Sequence, residues 1–357
     1  MGPVPGDEPG ARSQPGLFRD QARACARLGS PMYAELLERL ADDLEAGGAT
    51  AGVLRGHEDD PGPSGLALRL AGSIHRLVLA GAAPELAAYY PTAGGTWSSG
   101  GVAAVLDLLD RRGDELRPWL DRAPQTNEVG RSAALLGGLL RLVDRWPLPV
   151  RLFEIGASGG LNLLAHRFRY TDDAGGRWGE RSSPVLLDHA WQGEPLPLRA
   201  GLRIVERGGC DVSPVDLATD EGRLTLTAYV WPDMTERHAR LAGAIELARQ
   251  EPVPVERADA ASYADGLGLA DGHLTVVWHS VMWQYVPAEQ QERVTARLAA
   301  LGAATDDAAP LVHLFAEPTR RTPEERHRFW VVAEAWPGGG KRFLAQMAPH
   351  GLPVTWS

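Results

Sequence analysis

The chain has 357 residues, of which 44% are hydrophobic and 23% charged, with a formal net charge of -10. These values describe an ordinary globular chain of one large or two modest domains, and the acidic balance without any Lys/Arg run argues against general nucleic-acid binding, which needs a basic surface. No apolar run has the length of a membrane span or the shape of a signal-peptide core, so a cytoplasmic protein acting on a small molecule, with no membrane partner, is expected.

Residues 1–16 are rich in Gly and Pro without periodicity and are expected to form a disordered tail. From 17 to 147 the pattern is helical. FRDQARACARLG and PMYAELLERLADDLEAG place apolar residues three and four apart, and Ser30 before Pro31 reads as an N-cap followed by a first turn. SGLALRLAGSIHRLVLAG, GVAAVLDLLDRRGDELRPWLDRA and EVGRSAALLGGLLRLVDRW continue the pattern, which predicts an all-helical N-terminal domain. Between two of these helices, Gln125-Thr126-Asn127-Glu128 is a polar corner. Thr126 or Asn127 as N-cap, with Glu128 in the first turn, accounts for it; the alternative is that Asn127 and Glu128 bind substrate. His75 and the Tyr89-Tyr90 pair are weaker candidates of the same kind.

From 148 to 357 the pattern changes. VRLFEIG is a strand-length apolar run, followed by a Gly/Ser turn and a helix LNLLAHRF. GLRIVE, RLTLTAYVW, PVPVERA, HLTVVWHSV and PLVHLFAEP read as further strands, with helices such as TERHARLAGAIELARQ and AEQQERVTARLAALG between them. This alternation predicts an α/β domain with a parallel sheet. RFWVVAEAW and RFLAQM, joined across PGGGK, predict an antiparallel hairpin at its C-terminal end. Cys25 and Cys210 form neither a disulfide framework nor a metal pattern, and the histidines lack HxH or HExxH spacing, so no metal is expected.

The most informative stretch is RLFEIGASGGLNLL. Gly156, Ser158 and Gly160 are small enough for the backbone to turn sharply and approach a ligand, and the helix start would offer free N–H groups. Glu154 ends the preceding strand. The arrangement resembles the first motif, E/D-x-G-x-G-x-G, of class I S-adenosylmethionine-dependent methyltransferases, with Ser158 in place of the middle glycine. The resemblance implies a Rossmann-like domain in which Glu154, Gly156, Ser158 and Gly160 hold S-adenosylmethionine. It also implies that Asp211, in G-C-D-V-S-P, binds the ribose hydroxyls, with Asp233 in YVWPDM as the alternative, and that Asp259 and Ala260 contact the adenine. Asp211 stands 57 residues after Glu154 instead of about 20, which predicts an insertion, RYTDDAGGRWGERSSPVLLDHAWQGEPLPL.

His279, ending the strand HLTVVWHSV, falls where a methyl acceptor should sit. A neutral imidazole there would accept a proton from the nucleophile, with Tyr285 as a second catalytic candidate and Trp283 at the substrate. Each is equally readable as a packing residue, and the N/D-P-P-Y of many amino-methyltransferases is absent.

Gly156–Gly160 also read as G-x-S-x-G, the nucleophile elbow of an α/β-hydrolase, which would make Ser158 the nucleophile of an esterase. The helical chain before it and the lack of an HGGG segment count against this. A nicotinamide-dependent oxidoreductase and a non-catalytic nucleotide- or ligand-binding protein are further alternatives. Taken together, FEIGASGGLNLL, QTNEVGR, YVWPD, WHSVMWQYVP and the terminal WPGG…HG…W resemble the bacterial family known as domain of unknown function 2332. That resemblance implies a methyltransferase-like fold behind a helical region and supplies no activity.

Overall fold

The computed structural model describes residues 13–357. The first twelve residues of the expected tail lie outside the described ones, and a helix, Gln14–Arg27, already runs through its last positions. The chain divides into two compact units. One runs to Thr126 and takes in Thr219–His238; the other comprises Asn127–Ala218 and Ala239–Ser357.

The first unit is helical. Its long helices, Gln14–Arg27, Pro31–Glu45, Leu66–Leu79 and Ser99–Leu120, bury Phe18, Leu36, Leu37, Leu40, Leu70, Ile74 and Leu108 in one core. The Ser30 cap forms as expected: Ser30 Oγ accepts the Tyr33 N–H at 3.2 Å, with Pro31 following. Asp233 secures the same helix start, accepting from Ser30 Oγ at 2.6 Å and from the Met32 N–H at 3.0 Å. Of RLTLTAYVW, expected as a strand, the part Arg223–Ala228 lies in the helix Asp220–Ala228 of this unit, and the rest follows its C-terminus. Thr219 caps it by accepting the Gly222 N–H at 3.0 Å, and Asp220 and Glu221 occupy its first turn, so capping and dipole terms override the alternating Leu/Thr pattern.

The second unit is built on one eleven-stranded sheet. Its strands are β1 (Val150–Ile155), β2 (Arg169–Asp172), β3 (Arg177–Trp178), β4 (Leu186–Gly193), β5 (Ile204–Asp211), β6 (Val255–Arg257), β7 (Leu274–Ser280), β8 (Leu311–Thr319), β9 (Arg328–Trp336), β10 (Gly340–Met347) and β11 (Val354–Trp356). Their order is β3-β2-β4-β11-β10-β9-β8-β7-β1-β5-β6. From β6 through β5, β1 and β7 to β8 every pairing is parallel, and β9 and β10 then follow as the expected antiparallel hairpin. The architecture is therefore mixed α/β, with a helical N-terminal region and a mostly parallel sheet. The segment between the glycine turn and β5 is an insertion that forms β2, β3 and β4 and joins the far end of the sheet through β11.

Strand β7 is buried at every position, as expected of a parallel strand covered on both faces. One face carries Phe153, Ile155, Cys210 and Val277 against Ala260, Ala261, Val294 and Leu298 of the helices Ala260–Asp265 and Ala288–Gly302. The other carries Trp278 and Leu314, which pair side by side, under the helix Ser132–Arg145. A side chain on Gly138 of that helix would stand 2.7 Å from Leu314 Cδ2, so the missing Cβ permits the close packing. The helix therefore belongs to the sheet unit, whereas periodicity grouped it with the N-terminal helices; an amphipathic stripe carries no record of whether it meets a bundle or a sheet.

Candidate functional site

Strands β1 and β7 are neighbours, and, the β2–β4 insertion apart, β5 and β6 follow β1 on one side, whereas β7 and β8 lie on the other. The strand order reverses here, and in open parallel sheets ligands bind outside the carboxyl ends of the strands at such a reversal. The turn Gly156–Gly160, the end of β5 and the segment Val281–Tyr285 all lie at this edge.

The glycine turn has the expected shape. Gly156, Ser158 and Gly160 all take positive φ values, 72°, 53° and 75°. The first and last are glycine-favoured conformations, and Ser158 adopts one that a side chain disfavours. The expectation of free N–H groups is corrected. Gly156 and Ala157 both donate to Cys210 O at 2.9 Å, and Gly160 donates to Ala157 O at 2.7 Å. The Ser158 N–H donates to Asp211 Oδ2 at 2.9 Å. Asn127 Oδ1 accepts from Gly159 at 3.1 Å and from Leu161 at 3.0 Å. Every donor from Gly156 to Leu161 is thus engaged within the chain, and the following element, Leu161–Arg167, is a short 3-10 helix.

Glu154 is 2% exposed. Its Oε1 accepts from Asn162 Nδ2 at 3.4 Å, and Asn162 Oδ1 in turn accepts from Ser132 Oγ at 2.8 Å, tying the carboxyl to the covering helix. Glu154 Oε2 and Trp278 Nε1 are both buried, and neither closes a hydrogen bond of ordinary geometry. Burial pushes the Glu154 carboxyl up to about 8 and the Asp211 carboxylate adds to the rise, against the Asn162 amide, the Trp278 indole N–H and the Arg131 charge. At neutral pH Glu154 is a buried carboxylic acid.

Asp211 organises the turn: besides Ser158, it accepts the Ser213 N–H on Oδ1 at 2.8 Å. Asp259 caps the helix Ala260–Asp265, accepting the Ser262 N–H and Oγ–H at 2.8 Å each, and those bonds hold its carboxyl below the usual range. Ala260 is buried in the first turn of that helix. Asp233, the alternative ribose ligand, lies in the first unit with both oxygens engaged at the start of the helix Pro31–Glu45. His75 and Tyr90 are also packing residues of that unit. His75 bonds Ala228 O at 3.0 Å and Thr92 Oγ1 at 2.8 Å, and burial drives its pKa down to about 3.

Glu128 is the cap of the turn Val129–Arg131, with Oε1 accepting the Gly130 N–H at 3.0 Å. The capping reading of the polar corner is thus observed, although Glu128 rather than Thr126 or Asn127 fills that role. Arg131, which sequence reasoning passed over, is buried beside the site and donates to Ser280 O at 3.4 Å.

His279 is 2% exposed and both its ring nitrogens are engaged, Nδ1 with Glu317 Oε1 at 2.8 Å and Nε2 with His313 Nε2 at 3.0 Å. Glu317 Oε1 also accepts the Met282 N–H at 3.1 Å and the Trp283 N–H at 3.3 Å. Because the Met282 and Trp283 N–H groups donate to the same oxygen, Glu317 Oε1 serves as an acceptor and His279 Nδ1 as its donor. Desolvation holds His313 well below its ordinary pKa, so it stays neutral. Trp283 and Phe315 both stack on the His279 ring, with centroids at 4.6 and 5.3 Å. The geometry therefore makes His279 part of a packed polar cluster, with both ring nitrogens engaged. Tyr285, 45% exposed, is the accessible group of this segment.

Sequence reasoning missed Glu317 and His313. The only signal was their spacing in PLVHLFAEP, four residues apart and so on one face of β8. Among the described residues, no group of three or more His, Cys, Asp or Glu side chains has a metal-binding arrangement, and no helix is long and apolar enough to cross a membrane.

Over residues 16–356 the chain matches the family described as "Uncharacterized protein conserved in bacteria (DUF2332)", and it belongs to that family. No curated protein and no solved structure matches it.

Proposed function

We propose that this member of the family is an S-adenosylmethionine-dependent methyltransferase acting on a small-molecule acceptor, with the cofactor lying at the carboxyl edge of β1 and β5. The observation that carries the reading is the glycine turn after β1, joined to Asp211 at the end of β5 by the Ser158 N–H bond of 2.9 Å, at the reversal of strand order. The finer fold assignment, a Rossmann-like methyltransferase domain, rests on the same five parallel strands.

The saturated turn supports a phosphate-free nucleoside over a dinucleotide. A pyrophosphate is ordinarily held by free N–H groups of a glycine turn and a helix N-terminus. Here those donors are engaged from Gly156 to Leu161, so the nicotinamide reading loses its binding device. Each Asp211 oxygen accepts one backbone N–H and retains a lone pair for a ribose hydroxyl. The buried Glu154 Oε2 offers a polar atom below the turn, and Gly156 and Gly160 give close backbone approach. When bound, S-adenosylmethionine supplies an electrophilic methyl group, and the protein's part is mainly to hold a nucleophile in line with it. Tyr285 and Trp283 are the acceptor-side candidates of the segment after β7.

The esterase reading retains one supporting observation, the positive φ of Ser158. It lacks a base in His279, whose ring nitrogens are bonded to Glu317 and His313.

Calorimetric titration with S-adenosylmethionine and S-adenosylhomocysteine tests the proposal. Saturable binding by the wild type, weakened about tenfold in Asp211→Ala through the unsatisfied Ser158 N–H, is expected. Absence of binding of either compound by folded wild-type protein would overturn it.

A further inference from the structure

The segment QTNEVGR and the terminal His-Gly pair meet in the second unit. Asn127 contributes one oxygen to two N–H groups, Gly159 at 3.1 Å and Leu161 at 3.0 Å, on either side of Gly160. That bridge spans the residue whose φ of 75° reverses the chain. Three residues after Asn127, Gly130 lies against the chain's last turn. A Cβ on Gly130 would stand 2.3 Å from His350 O. A Cβ on Gly351, itself at φ 89°, would stand 2.2 Å from Gly130 C and 2.3 Å from Arg131 N. Two backbones touch here with no space for a side chain, and Glu128 fastens the same segment through the Gly130 N–H.

We propose that Asn127 is the positioning residue of the glycine turn, and that the backbone contact between Gly130 and Gly351 is the buttress that keeps its side chain in place. Asn127 acts on a ligand through the turn rather than by touching it, and the effect on cofactor affinity rests on the methyltransferase reading. The C-terminal turn is thereby part of the site's construction although its residues follow the glycine turn by about 190 positions. Aspartate at 127 retains an acceptor oxygen in the same place, whereas alanine leaves the Gly159 and Leu161 N–H groups without one.

The test compares full-length wild type, Asn127→Asp, Asn127→Ala and Gly351→Ala by amide hydrogen exchange at Gly159 and Leu161 and by titration with S-adenosylhomocysteine. Exchange at both amides should accelerate about tenfold in Asn127→Ala and Gly351→Ala, with the amides of β1 and β7 unchanged, and return toward wild type in Asn127→Asp. Affinity should fall about tenfold in the first two variants and be kept in the third. Unchanged exchange in Asn127→Ala, failure of Asn127→Asp to rescue, or a loosened turn with full affinity would each overturn the proposal. If the wild type binds no S-adenosylhomocysteine, the methyltransferase reading fails and the exchange data alone decide the role of Asn127. The Asn127 variants carry the test even if Gly351→Ala does not fold.

Discussion

Glu154 and His279 end adjacent parallel strands yet point to opposite faces of the sheet, because Glu154 pairs with Trp278 and His279 is one residue further on. Glu154 faces the covering helix Ser132–Arg145 through Asn162 and Ser132, whereas His279 packs with Phe315, His313 and Trp283 on the other side. Glu154 belongs beneath the glycine turn; His279 belongs to the anchoring of the segment after β7.

The burial of Glu154 makes stability depend on pH. Its folded pKa, about 8, lies above the ordinary 4.5 expected when unfolded. The associated stabilisation is full below 4.5, declines as the unfolded chain ionises alone, and is gone above about 8. Glu154→Gln stays neutral and escapes that decline. Thermal unfolding from pH 5 to pH 9 should show the wild type losing stability relative to Glu154→Gln as pH rises, by on the order of a few kcal/mol. Parallel profiles would show that Glu154 is ionised in the folded protein.

Ser158 separates the two enzyme readings. At φ 53° a glycine relieves strain, and the Ser158 N–H bond to Asp211 needs no side chain. Ser158→Gly should match or exceed wild-type stability by up to about 1 kcal/mol and retain binding of S-adenosylhomocysteine. A fluorophosphonate probe should leave wild-type Ser158 unmodified. Labelling at Ser158 with loss of esterase activity in the glycine variant would reverse the ranking.

Glu317 gathers three donors, His279 Nδ1 and the Met282 and Trp283 N–H groups, on one buried oxygen. Glu317→Ala leaves all three without that acceptor and should destabilise by about 3 kcal/mol or more in denaturant unfolding. Glu317→Gln keeps an acceptor oxygen and should lose clearly less. Equal losses would mean that the negative charge, rather than the accepted bonds, holds the segment.

The parallel core strands were legible because each is a short apolar run bounded by turn residues, and VRLFEIG, HLTVVWHSV and PLVHLFAEP became β1, β7 and β8. The hairpin was legible in its glycine-rich turn. The Ser30–Pro31 helix start followed from local capping chemistry, and the sharp turn at Gly156 and Gly160 from their small size. RLTLTAYVW misled because alternation in one segment is a weaker constraint than a cap and an acidic first turn. Glu317, His313 and Arg131 went unnoticed because an isolated charged or imidazole side chain acquires meaning only from what it faces.

The sequence by itself determined the local terms: where apolar period changes from helical to strand-like, where small residues let the chain reverse, and which acidic residues end strands. These depend on neighbours a few positions away. Only the tertiary structure decided that Asp211 and Asn127 close the glycine turn, that Asp233 serves a helix cap in the other unit, and that His279 is sealed by Glu317 and His313. Those pairings join residues 32 to 203 positions apart, and the same carboxylate or amide would have looked identical in sequence whether it faced a ligand, a helix start or a backbone N–H. Hydrogen-bond partners in a folded chain are set by strand register and packing, and a one-residue change in register moves a side chain to the opposite face of the sheet.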